Sequence, residues 1–189
     1  MTSRKKWTVG LIVTALAAAG VAGFGQFTPA PPPLVVPQET PVVNPSPVAQ
    51  TGCNPALWSR VYKPQRLIVH DQCTTVTGII MDASNGRFSD GTRHEADGDT
   101  HGWLKLDPQF SSMINPGNIS NEQGNLVFEI VCHFPITQQD AIAPCGSFHD
   151  MQVVPPVGSH VSITGSFVLD TNHSRWNEIH PVSSVKKIP

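Results

Sequence analysis

A run of acidic residues and one histidine at alternate positions is the feature of the sequence that most suggests chemistry. The stretch RHEADGDTHGWLKLD, residues 93–107, places Glu95, Asp97, Asp99 and His101 two residues apart. Carboxylate oxygens combined with an imidazole nitrogen suit zinc, manganese or iron, whereas carboxylates alone suit calcium. The stretch therefore predicts a divalent-cation site.

A second stretch near the C-terminus repeats the same side-chain types. WNEIHPV, residues 176–182, places Trp176, Glu178 and His180 at alternate positions. Residues two apart on a β-strand lie on the same face, so each stretch can present its polar groups together. The candidate metal ligands from the two stretches are His101, Glu178, His180, Asp97 and Asp99.

Other interpretations use the same residues. A hydrolase would activate a cation-bound water, with Asp97 or Asp99 as the base. A ligand platform would stack a sugar or another flat molecule on Trp103 and Trp176, with Glu129 as a polar contact. A purely structural role also fits, because Asp-Gly-Asp is often a tight turn whose carboxylates accept local N–H groups. We favour a noncatalytic binding or structural module able to bind a divalent cation, with a metal-dependent hydrolase as the alternative.

The elements that must position these residues are short strands bounded by turn signals. Alternating runs lie at residues 74–82, 101–107, 125–132, 160–170 and 176–182. Gly78 and Gly165 lie inside two of these runs, where glycine permits the sharp coiling that closes a small barrel. The pattern predicts an all-β, five-stranded barrel like that of the oligonucleotide/oligosaccharide-binding (OB) fold, with one short helical segment near 108–116. An immunoglobulin-like sandwich is the rival, but it would need about seven strands.

Strand alternation assigns the two faces of the barrel. Leu104 and Leu106 should face the core, as should Phe128, Ile130 and Ile179. The polar and Trp positions then fall on the outer face. In an OB-like barrel the second, third and fifth strands share one surface, so we expect His101, Glu129, Glu178 and His180 to meet there.

The four cysteines are expected to form disulfides. Cys53, Cys73, Cys132 and Cys145 allow three connectivities, and proximity in the sequence favours Cys53–Cys73 and Cys132–Cys145. A zinc site made of the four thiolates is the alternative, but the sequence has no C-x2-C pair and oxidation is the default outside the cell.

The N-terminal part of the chain is typical of export. Residues 1–27 place three basic residues before an uncharged, mostly apolar run at 7–24, which predicts a cleaved signal peptide or an uncleaved membrane anchor. Residues 28–52 are rich in proline and predict an extended linker. The folded domain should then comprise residues 53–189, outside the cytoplasm, either anchored through 7–24 or secreted.

Charge limits the classes of partner. The chain has a formal net charge of -2, and only 14 % of its residues are charged. Such a surface does not attract polyphosphates, so we expect no nucleic-acid binding. Cations, carbohydrates and other small ligands remain open as partners.

The two polar stretches also resemble a family of uncharacterised exported prokaryotic proteins. Its members pair a DGD-x-H segment with a W-x-EIHP segment. Here the first segment is formed by Asp97, Gly98, Asp99 and His101, and the second by residues 176–181. The resemblance implies an exported protein but carries no activity.

Overall fold

The computed structural model describes residues 52–189, so the predicted signal segment and most of the predicted linker lie outside the described residues. Its strands are β1 Leu67–Met81, β2 Arg93–His94, β3 Thr100–Leu106, β4 Leu126–Ile130, β5 His160–Asp170 and β6 Asn177–Lys187. Its α-helices are α1 Pro116–Asn121 and α2 Ile142–Cys145, and its 3-10 turns are Pro55–Arg60, Pro64–Arg66, Pro108–Met113 and Gln139–Ala141.

The five longer strands form a closed barrel. The sheet order is β1-β5-β6-β4-β3-β2, and a further pairing of β1 with β3 closes it. All pairings are antiparallel except that of β4 with β6, which is parallel and contains only two residue pairs. The predicted OB-like barrel is therefore confirmed. The two-residue strand β2 was not predicted, because it is too short to show alternation.

The glycines inside β1 and β5 lie where strands approach each other closely. A Cβ atom on Gly78 would lie 2.3 Å from the carbonyl oxygen of Lys105, on the neighbouring strand β3. A Cβ atom on Gly165 would lie 2.5 Å from the carbonyl oxygen of Pro181, on β6. Because backbone atoms cannot easily move away, only glycine fits these crossings, and this permits the coiling that a small barrel needs.

The barrel interior is apolar and has the predicted composition. Leu104, Phe128, Ile130 and Ile179 all lie in this core, with Leu106 packed against it. The remaining fully buried members are Val76, Ile80, Leu126, Val161, Ile163 and Val182. The assignment of inward-facing positions is thus confirmed for these residues.

The outer face of β3, β4 and β6 is also buried, which corrects the expectation of an open surface. Two apolar clusters cover it. The first contains Leu57, Val61, Leu67, Val131, Cys132, Cys145 and Val168. The second contains Ala83, Trp103, Val127 and Trp176. The segments that supply much of this cover lack strand alternation, so the sequence pattern gave no sign of them.

Both disulfides have the favoured connectivity. Cys53 pairs with Cys73 and Cys132 pairs with Cys145, and no free cysteine remains. The first bridge ties the chain near its described beginning to β1. The second closes the segment that follows β4, which forms part of the cover. The alternative of a four-thiolate zinc site is thereby ruled out.

Within residues 52–189, no helix is long and apolar enough to cross a membrane. The apolar run at 7–24 lies outside the described residues.

His160 and Asp107 join the start of β5 to the end of β3. His160 Nε2 lies 2.9 Å from Asp107 Oδ2, and its Nδ1 lies 2.9 Å from the carbonyl oxygen of Pro189. The hydrogen bond to Asp107, followed by that to Pro189, raises the pKa of His160. The hydrogen bond from Thr77, followed by that from His160, lowers the pKa of Asp107.

We therefore expect the His160 ring to titrate above the usual value of about 6.5. The charged pair stabilises the fold between the two midpoints. It is lost as Asp107 protonates at low pH, and again as His160 loses its proton at high pH. Proton NMR titration of the full chain measures this midpoint, and Asp107→Asn should lower it. Equal midpoints in the parent and the variant would contradict the assignment.

Candidate functional site

A buried charge cluster lies on the covered face of the barrel. It comprises Arg66, Asp99, His101, Glu122, Glu129, Asp170, Glu178 and His180, all of which are buried. Strand β4 shows where the charge cluster lies relative to the two apolar covering clusters. Val127 belongs to one covering cluster, and Val131, the residue after β4, belongs to the other. Glu129, between them in the sequence, belongs to the charge cluster. Charged groups at this depth are stable only when other charges and hydrogen bonds compensate them.

The structure brings together most of the predicted site residues. His180 Nδ1 lies 2.7 Å from Glu129 Oε2 and 3.0 Å from Glu178 Oε1. His101 Nδ1 lies 3.4 Å from Glu129 Oε1. On the other side of the His180 ring, Nε2 lies 3.7 Å from Asp99 Oδ2. The prediction that β3, β4 and β6 would present these side chains together is confirmed.

Asp97 is placed differently from its neighbours in the sequence. Its Oδ1 accepts the backbone N–H of Asp99 at 3.2 Å, while Gly98 donates to the carbonyl of Glu95 and has φ of 94°. This is the tight turn that the structural interpretation of Asp-Gly-Asp describes. Asp97 lines a surface cavity instead of contacting His180.

Sequence reasoning missed three members of the cluster. Arg66 bonds closely to Asp170 and also lies 3.6 Å from Glu129 Oε2 and 3.8 Å from Glu178 Oε1. Glu122 follows α1 and accepts from His101 at 3.0 Å. Asp170 ends the strand SITGSFVLD that precedes the second polar stretch, but its role was not recognised. Arg66 and Glu122 belong to no motif.

The two tryptophans cover the cluster instead of forming an open platform. Trp103 is 5 % exposed, donates its indole N–H to Glu122 and has the Arg93 guanidinium 5.4 Å from its ring centroid. Trp176 is 8 % exposed, donates to Glu178 Oε2 at 2.8 Å and stacks on His173 at 5.3 Å. The expectation of exposed stacking surfaces is therefore wrong, because both rings are used in packing.

The ionisation of the central groups follows from their neighbours. Burial opposes charge on Glu129, but His180 and His101 outweigh it and hold its pKa well below the usual range. Burial likewise opposes charge on His180, yet Glu129 and Glu178 raise its pKa to about 10. Burial raises the pKa of the Asp99 carboxyl to about 8. Without a cation, the Asp99 carboxyl is therefore protonated and uncharged at neutral pH, and the His180 ring is protonated on both nitrogens and carries a positive charge.

The cluster contains five carboxyl groups, namely Asp99, Glu122, Glu129, Asp170 and Glu178. Arg66 and the protonated rings of His101 and His180 lie among them. Arg93 contacts Glu122 and His173 contacts Asp170 from the edge of the cluster. A divalent cation between Asp99 and His180 would replace the protons that these two groups carry.

A polar cavity of about 360 Å³ opens above the cluster. Arg66, His101 and Glu129 contribute to its lining, together with Asp97 and Trp176. Asp99 and His180 are not among its lining residues. The space between their side chains is therefore closed off from the cavity.

One group of residues has the geometry of a metal site. Among the described residues, Asp99, Glu129 and His180 each offer a ligand atom, and these atoms lie within 4.8 Å of one another. Of the predicted ligands, Asp99 and His180 therefore remain as candidates. His101 contacts Glu129 and Glu178 contacts His180, but neither belongs to this group. Glu129 belongs to it, although it was not among the predicted metal ligands.

Comparison of the chain with protein-family models, with curated proteins and with solved structures finds no match in any of the three. Function must therefore be inferred from the geometry of the buried charge cluster.

Proposed function

We propose that residues 53–189 form an extracytoplasmic, noncatalytic binding module that holds a divalent cation between Asp99 and His180, with Glu129 orienting the histidine. The observation that carries this proposal is a pair of buried polar atoms that make no hydrogen bond and lie 3.7 Å from each other. Asp99 Oδ2 and His180 Nε2 have no hydrogen-bond partner anywhere in residues 52–189. Such atoms are rare in folded proteins, because each one forfeits its interactions with water.

The separation of the two atoms favours a metal ion over a bridging water. A water that hydrogen-bonds both groups at about 2.8 Å in tetrahedral directions would hold them about 4.6 Å apart. A tetrahedral metal with bonds of about 2.1 Å would hold them about 3.4 Å apart. The observed distance is 3.7 Å, closer to the second value.

The surrounding groups aim both atoms at the same point. His180 Nδ1 donates to Glu178 Oε1 and also lies 2.7 Å from Glu129 Oε2, which leaves the lone pair of Nε2 free to bind a cation. A carboxylate on the far nitrogen is the usual partner of a metal-bound histidine. Asp99 Oδ1 accepts the backbone N–H of Cys132 at 2.8 Å, so Oδ2 is held in place.

The closed position of the site favours binding without catalysis. A catalytic metal must keep one coordination position open to substrate. Here Asp99 is 2 % exposed and His180 is fully buried, and neither side chain lines the cavity, so a substrate in the cavity would not contact an ion held between them. The hydrolase alternative is therefore not favoured.

The proposed location rests on two features. Two disulfides are expected in an oxidising compartment. The basic and apolar N-terminal sequence predicts export, with residues 7–24 as a membrane anchor if they are not cleaved.

Replacing Asp99 by asparagine should abolish metal retention. The amide keeps an oxygen for the Cys132 N–H but removes the negative charge from the proposed ligand atom. We expect metal content, measured by mass spectrometry on the purified, oxidised full chain, to fall from about one ion per chain to below about a tenth of that. A chelator should lower the melting temperature of the parent and leave that of Asp99→Asn unchanged.

Glu122→Gln is the matched control, because it also converts a buried carboxylate of the cluster to an amide. Glu122 contacts His101 and Trp103, away from His180, so this variant should keep its metal. Absence of metal from the parent, with no change in melting on adding divalent ions, would contradict the proposed function.

A further inference from the structure

We infer that the cation is a borderline first-row transition ion of the zinc type, and not calcium or magnesium. This inference rests on the proposed function, since it specifies the ion held at the same site. Three observations support it: the element of each ligand atom, the hydrogen bonds that the neighbouring carboxylate oxygens already make, and the distance between Asp99 Oδ2 and His180 Nε2.

The ligand atoms of the site favour a transition ion. One of the two free atoms is an imidazole nitrogen, His180 Nε2. Imidazole suits zinc, copper, iron and nickel, whereas calcium and magnesium are hard ions that prefer oxygen. A nitrogen ligand therefore contributes little affinity for the two alkaline-earth ions.

Oxygen atoms that could bind a cation are scarce around the site. Calcium needs about six to eight oxygen ligands. Around His180, the two oxygens of Glu129 face His180 and His101. Those of Glu178 accept from His180 and Trp176. Asp99 Oδ1 accepts from Cys132, and Asp99 Oδ2 makes no hydrogen bond within the described residues. An oxygen shell for calcium could form only by breaking these bonds.

The distance between the two ligand atoms fixes the angle that they would make at a bound ion. Magnesium demands octahedral geometry, which places neighbouring ligands about 2.9 Å apart at bond lengths of about 2.05 Å. The atoms of Asp99 and His180 lie 3.7 Å apart. With zinc bonds of about 2.1 Å, this separation corresponds to an angle of about 125°, which is closer to tetrahedral than to octahedral geometry.

Competition among ions tests this inference. The oxidised full chain, stripped with a chelator, is melted with Zn²⁺, Co²⁺, Mg²⁺ or Ca²⁺. We expect micromolar Zn²⁺ and Co²⁺ to raise the melting temperature, and millimolar Ca²⁺ and Mg²⁺ to leave it unchanged. Bound Co²⁺ should give the intense visible absorption of a tetrahedral site, and Zn²⁺ should displace it.

Two variants distinguish the buried site from binding at the surface. His133 and His149 are a second pair of histidines, with ring centroids 6.3 Å apart, and both are more accessible than His180. The double variant His133→Gln/His149→Gln should retain the Zn²⁺ response, and Asp99→Asn should lose it. The reverse pattern would overturn the assignment to Asp99 and His180.

The outcomes separate failure of the inference from failure of the proposed function. If no ion in the panel is retained or shifts the melting temperature, the proposed cation site does not exist. If Ca²⁺ or Mg²⁺ stabilises the parent as strongly as Zn²⁺, and Asp99→Asn abolishes that effect, the site exists but its assignment to a transition ion is wrong.

Discussion

Arg66→Met should lower the free energy of unfolding by about 3–5 kcal/mol, because it removes one partner of a buried ion pair. Arg66 is 6 % exposed and is surrounded by the carboxylates of Asp170, Glu129 and Glu178. Methionine fills a similar volume but leaves those carboxylates without their main counter-charge. Denaturant unfolding of the oxidised full chain measures the loss.

The control for this prediction is Arg87→Met, the same chemical change at an exposed loop position. It should alter the free energy of unfolding by no more than about 0.5 kcal/mol. The double variant Arg66→Met/Asp170→Asn should recover part of the lost stability, because it also removes the negative charge of Asp170, which Arg66→Met leaves without its counter-charge. A loss below about 1 kcal/mol for Arg66→Met would mean that the cluster is not held together by this charge.

Gly78→Ala should destabilise the domain by about 3 kcal/mol or more, since the added methyl group meets backbone and not a movable side chain. The new Cβ would lie 2.3 Å from the carbonyl oxygen of Lys105 and 3.0 Å from Cα of Leu106. Gly78 pairs with Leu106 in the β1–β3 ladder that closes the barrel. We therefore expect amide protection in that ladder to fall together with the free energy of unfolding.

Gly86→Ala is a suitable control for the alanine substitution. Gly86 has φ of 76°, and a Cβ atom there would meet nothing within 4 Å. Its cost should be limited to about 1–2 kcal/mol for placing alanine in the left-handed region. Equal losses at the two positions would show that steric contact at the barrel closure does not matter.

The barrel could be predicted from the sequence because its signals are local. Alternation placed Leu104 and Leu106 inward, and two glycines inside strands indicated a tightly coiled sheet. The favoured cysteine pairs were close in the sequence, and both of them form. These features depend on residues near each other along the chain or on a strict period of two.

The burial of the candidate site could not be predicted in the same way. Alternation assigns a side chain to a face, but it does not say whether another segment covers that face. The cover comes from irregular segments such as Pro55–Arg60, and Arg66 lies 104 residues from its partner Asp170. Alternation brought His101, Glu129, Glu178 and His180 to one face, but Arg66, Glu122 and Asp170 join them through contacts between distant parts of the chain.

The parallel pairing of β4 with β6 has a consequence for how long an ion would stay bound. This ladder contains two residue pairs, Val127 with Glu178 and Phe128 with Ile179, whereas the β1–β5 ladder contains ten. We expect local opening of the barrel to begin where the fewest ladder pairs hold two strands together. Glu129 and His180 continue across the same seam, one residue beyond the second pair. An ion bound to His180 would stabilise the pairing of β4 with β6 against such opening. The residence time of the ion would therefore depend on how often these two strands separate.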